Sequence, residues 1–163
     1  MLGSGLVFRL FYEWAAKGKS YEYFLKKLDE NEATVYARLV NAADFAFFRQ
    51  RAVHVIGIEC WGAHRLRVLL GEPLVIDEYD GYAPSEQLSM ADLAQEFRQT
   101  RAATIALVHE LQRKGVALTQ TVKHNEVGDL SLGGWIFYLE NHMWRETAFF
   151  TQDRAKDKQP VQS

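Results

Sequence analysis

The chain contains one cysteine, three prolines and no apolar run of membrane-spanning length, and each scarcity removes a class of answer. Cys60 alone cannot form an intrachain disulfide, which suits a reducing, cytoplasmic compartment. Pro73 and Pro84 share one segment and Pro160 lies near the end, leaving long stretches free to be helical. Each hydrophobic segment is interrupted by Arg, Glu or His within a turn or two, well short of the roughly 18 residues that a span requires. Leu6, Val7 and Phe8 are cut off by Arg9, too short an apolar stretch for a secretory signal, so export is not expected. Positive charge is not in excess either. With 19 basic and 21 acidic residues the net charge is -2, which offers no field to attract a phosphate backbone or an anionic membrane.

Apolar material is plentiful. Of 163 residues 48% are hydrophobic and 13% aromatic, enough to bury the core of one soluble domain. That domain is expected over residues 1–155, followed by a polar, aperiodic and disordered tail over 156–163. Apolar residues recur at helical spacing from about 49 to 70, where Gly71 and Pro73 signal a stop. Leu93, Phe97, Thr104, Leu107 and Leu111 mark another helix over about 88–114, closed by Lys114 and Gly115. Ser131 can cap a last helix with Leu132, Trp135, Leu139 and Phe149 on one face, ending near Phe150 to Asp153. Between about 4 and 38 the pattern predicts one or two helices, with Gly18 and Ser20 as the break. Residues 72–86 read as a long loop, and 116–130 as a short hairpin. This order predicts an all-α four-helix bundle with a β-hairpin before the last helix.

In the last helix, positions 132, 135, 139, 142, 146 and 149 share one face. Four are apolar, and the other two are His142 and Glu146. A carboxylate on an inward face needs a cation, a hydrogen-bond network or a proton. His54 shares a stripe with Ile58 and Trp61 in the helix over 49–70 and can face the same interior. Two imidazoles and a carboxylate that converge suit zinc, nickel, iron or manganese and leave coordination positions open. The plainer reading pairs His142 with Glu146, or sets Arg145, Arg65 or Arg101 against Glu146 in a structural ion pair.

At these residues the sequence resembles a known family. His54-Val-Ile-Gly-Ile-Glu-Cys-Trp61 is similar to the second helix of DinB/YfiT-like proteins, and Glu140-Asn141-His142-Met-Trp-Arg-Glu146 to the family's last-helix metal motif. Tyr12-Glu-Trp14-Ala15 resembles the aromatic start of its first helix. The resemblance implies a four-helix bundle in the mirror variant of up-and-down topology, with a divalent metal on three side chains and frequent homodimerisation. Characterised relatives include metal-dependent hydrolases and transferases or isomerases that use low-molecular-weight thiols. Carried over, the motif makes His54, His142 and Glu146 the ligands of a divalent ion, zinc or nickel, with glutamate where the family commonly has histidine. The family name, which refers to DNA damage induction, does not imply DNA chemistry.

Several other residues invite attention. Asp77 to Tyr82 lacks the spacing of a calcium loop and reads as a solvated lid. His124 is a candidate fourth ligand or proton carrier, although a loop histidine beside Asn is more often a turn residue. His64 lies about 80° around the helix from His54, and like His109 it is expected at the surface or rim. Cys60 is expected to be buried and inert, Glu59 to accept from His54, and Trp61, Trp135, Trp144 and the phenylalanines to serve the core or a dimer interface. The expected function is a divalent-metal enzyme, a hydrolase or thiol transferase acting on a small molecule. The competing expectation is a non-catalytic homodimeric stress-response or interaction bundle with a degenerate metal site.

Overall fold

Gly18, with φ at +73°, breaks the N-terminal helical stretch in two in the computed structural model, which describes residues 3–150 and side chains from residue 5 onward. Helix α1 covers Gly3–Ala16 and α2 covers Tyr21–Asn41. Ser20 caps α2 by accepting the amide of Tyr23, so the break predicted there is real. Helix α3 runs Ala46–Leu66, three residues earlier than the spacing suggested, and tightens into a 3-10 turn over Arg67–Leu70 that ends at Gly71. Helix α4, Met90–Arg113, starts at a capping box in which Ser89 and Asp92 satisfy each other's amides. A two-stranded antiparallel sheet, β1 Thr121–His124 and β2 Gly128–Ser131, then leads into α5, Leu132–Thr147.

Helix α5 stops short of the predicted Phe150 to Asp153. Arg38 of α2 donates to the Trp144 carbonyl at 2.9 Å and lies 4.1 Å from that indole, satisfying an orphan carbonyl of the last turn from outside the helix. Ala148 closes the end on Arg145. Phe149, expected on the inner face, therefore lies beyond the helix and is 79% exposed. The tail predicted over 156–163 lies outside the described residues.

Helices α2 and α3 each pack against both α4 and α5, while α1 lies across α5 and β2. The resulting molecule is mostly helical with one small sheet, and none of its described helices is long and apolar enough to cross a membrane. One apolar cluster gathers Phe24, Leu28, Trp61, Leu111, Leu130, Trp135 and Leu139, and another Val35, Leu39, Ile56, Leu93, Phe97 and Met143. The buried side chains of Glu59 and Arg101 pair bidentately at 2.7 and 2.9 Å. The third guanidinium nitrogen donates to the Leu28 carbonyl at 3.0 Å, tying α2, α3 and α4 together.

Candidate functional site

Five separate pieces of chain build one cavity of about 370 Å³. Helix α3 supplies His54, Ile58 and Trp61, and α5 supplies Tyr138, His142 and Arg145. The tip of the hairpin supplies His124 to Val127, the 79–82 turn supplies Tyr79, and α1 lays Phe8 and Tyr12 along the side.

The turn reaches α3 because α3 has no side chain at Gly57. A Cβ there would stand 3.0 Å from that of Ala83 and 3.1 Å from the carbonyl oxygen of Tyr79. Arg65 anchors the same side. Buried to 2% exposure, it donates to the Lys123 carbonyl at 2.8 Å and to Asn125 at 3.1 Å, and reaches the Asp77 carboxylate at 3.3 Å. Trp61 donates to the same carboxylate at 3.1 Å and Asn125 to the Asp77 carbonyl at 2.8 Å. The hydrogen bond from Tyr82, with Arg65 and Trp61 helping, holds the Asp77 carboxyl below the usual range. The segment predicted to be a solvated lid is thus pinned at Asp77 and packed at Tyr79, while Leu74, Val75 and Ile76 remain exposed.

His54 and His142, expected to meet, do so with ring centroids 5.7 Å apart. Tyr79 stands edge-on to His54 at 4.7 Å, and Tyr138 lies 5.6 Å from His142. Burial, outweighing the nearby Glu146 carboxylate, pushes His54 below its ordinary value and His142 down to about 4, so both are neutral at pH 7. Neutral imidazoles carry the lone pair that a metal needs. Glu146 is close enough to influence both rings, but its carboxylate is bonded to Arg51 of α3. Among the described residues, no group of three or more His, Cys, Asp or Glu side chains is arranged to hold a metal ion. Two neutral imidazoles are donors of the type a divalent cation takes, whereas the Glu146 carboxylate is engaged by Arg51.

Arg51 is the functional neighbour that sequence reasoning missed, having considered Arg145, Arg65 and Arg101 for Glu146. The available signal was its position three residues before His54, on the same helical face. Arg101 is taken by Glu59, which is consequently not available to His54. His64 and His109 are exposed, as expected. Cys60 is only half-buried, its sulfur 3.5 Å from the Thr100 hydroxyl, and burial raises its thiol above the ordinary value. His124 belongs to the cavity more firmly than a turn residue needs to. It is 4% exposed, enclosed by Trp61, Trp135 and Tyr138 at 5.2, 4.9 and 5.0 Å, and burial pushes it down to about 4.

A family model described as the DinB superfamily matches residues 20–148, which leaves α1 outside the matched span. No curated protein and no solved structure matches the chain.

Proposed function

Because the chain belongs to the DinB superfamily, we propose that it is a divalent-metal-dependent enzyme, a hydrolase or a transferase using a low-molecular-weight thiol, with His54, His142 and Glu146 as its metal ligands. The observation that carries this reading is the meeting of two neutral imidazoles on one cavity wall, 5.7 Å between centroids. Zinc or nickel is the proposed ion, and when bound it would supply a Lewis acid able to lower the pKa of water or stabilise a thiolate. The chain's own groups do the rest. Tyr79 fixes the His54 ring, Trp61 and Tyr138 keep bulk water from the inner wall, and the cavity gives a small substrate room beside the imidazoles.

The same proposal takes α2 to α5 as the four-helix bundle in its mirror up-and-down form, which the mutual packing of these helices supports. It includes a cytoplasmic setting, with which the unpaired thiol of Cys60 accords. It also includes a homodimer, for which the exposed Leu6, Leu10 and Trp14 along one side of α1 provide apolar surface.

Elemental analysis of protein purified without added metal or a histidine tag tests the site. Zinc or nickel at one ion per chain, lost in His142→Ala, is the expected result. Full retention in that variant overturns the ligand set. Failure to take up any ion after reconstitution favours a second reading, a non-catalytic homodimeric interaction or stress-response bundle, which the Arg51–Glu146 pair supports because a guanidinium already neutralises the carboxylate.

A further inference from the structure

The tip of the hairpin is closed by a histidine side chain. His124 Nδ1 accepts the backbone N–H of Glu126 at 3.1 Å and that of Val127 at 3.5 Å. Gly128, at φ +79°, completes the turn into β2. A ring nitrogen that accepts carries no proton, so the neutral imidazole keeps its hydrogen on Nε2. With Nδ1 turned to its own loop and Nε2 protonated, neither nitrogen offers a free lone pair to an ion. His124 is therefore a donor, and the fourth-ligand role considered for it from sequence is not the one its geometry suits.

That donor has no partner. Nε2 is buried and unbonded among the described residues, in a side chain that is 4% exposed and forms part of the cavity wall. Unpaired buried N–H groups are rare because they are costly, so an acceptor arriving through the cavity would be strongly preferred there. Other lining groups narrow the acceptor's identity. Arg145 borders the cavity, is exposed, and forms no ion pair among the described residues. Its planar fork matches a carboxylate. Glu78, which receives Asn125 at 3.0 Å, and the exposed Glu126 also border the cavity and disfavour a dianion. Tyr12, Trp61, Tyr79 and Tyr138 present aromatic walls that suit a flat apolar body.

We propose that the cavity binds a small monocarboxylate with a flat apolar body, which accepts a hydrogen bond from His124 Nε2–H and whose charge is met by Arg145. This names a ligand class for the enzyme proposed above and rests on that reading only in treating the cavity as the substrate site. His124 here is a binding residue set in one tautomer by its own turn.

The test titrates the protein as purified with phenylacetate, phenylacetamide and phenyl phosphate, following His124 by side-chain nitrogen NMR and affinity by calorimetry. The expected result is an Nε2–H tautomer before titration and saturable phenylacetate binding that shifts Nε2. Binding is expected to be at least tenfold weaker for the amide and for phenyl phosphate, and tenfold weaker in His124→Phe. Arg145→Gln, at an exposed position, is expected to show the same tenfold loss for phenylacetate and to carry the test if His124→Phe fails to fold. An Nδ1–H tautomer, no saturable phenylacetate binding, affinity unchanged in Arg145→Gln, or tighter binding of phenyl phosphate overturns the proposal. Metal uptake measured on the same protein after reconstitution separates the two readings: carboxylate binding by protein that takes up no ion leaves this one standing and removes the other.

Discussion

Arg51 of α3 holds the carboxylate of Glu146 of α5, one helical turn from each of the two histidines that face each other across the same helices. A guanidinium and a divalent cation compete for that carboxylate. Arg51→Ala is therefore expected to raise zinc affinity about tenfold, roughly 1.4 kcal/mol, in a chelator competition assay. An unchanged or lower affinity would show that Glu146 takes no part in holding the ion.

The Glu59–Arg101 pair makes a different demand, since both side chains lie in the interior. Removing one partner strands the other charge. Arg101→Met is expected to lower unfolding stability in urea by about 3–5 kcal/mol, with part of the loss recovered in the Glu59→Gln, Arg101→Met double variant. Additive losses would deny the coupling.

Acid sensitivity follows from His124. Burial, with help from Arg65 and His142, sets its folded value at about 4, below its unfolded value of about 6.5. The unfolded chain then binds more protons between those values, so stability is complete above about pH 6.5 and falls as the pH drops toward 4. The contribution is on the order of 3 kcal/mol. Urea titrations from pH 7 to 4 are expected to show a shallower decline in His124→Phe than in the parent. Parallel declines would mean that other groups carry the acid response.

Gly57 tests the seat of the 79–82 turn. Gly57→Ala places a methyl group 3.0 Å from the Cβ of Ala83, and is expected to cost about 1–3 kcal/mol in thermal or urea unfolding and to disturb Tyr79 beside His54. Wild-type stability with an unshifted Tyr79 resonance would show that the contact relaxes freely.

Helix α4 and the start of α5 were legible in the sequence because local pattern sets them: the apolar period from Leu93 to Leu111 runs through α4, and Ser131 caps α5 within its own first turn. The end of α5 was not, since Arg38 stops it from more than a hundred residues away in sequence. The same division runs through the site. His54 and His142 were readable from helical period, as each sits on an apolar stripe. The engagement of Glu146 by Arg51 and of Glu59 by Arg101 depends on how helices settle against one another, which spacing along one helix does not encode. His124 was visible only as a turn residue, for its burial comes from Trp61, Trp135 and Tyr138 on two other elements.

Helix α1 lies ahead of the span shared with the family, yet Phe8 and Tyr12 form one side of the chamber and Glu13 grips the first residue before α5 through Ser131 at 2.7 Å. One wall of the cavity is therefore contributed by a helix that the family match does not cover. Variation at Phe8 and Tyr12 would reshape that wall while His54 and His142 keep their places on α3 and α5, so relatives that differ in the leading helix are expected to differ in the shape of this cavity.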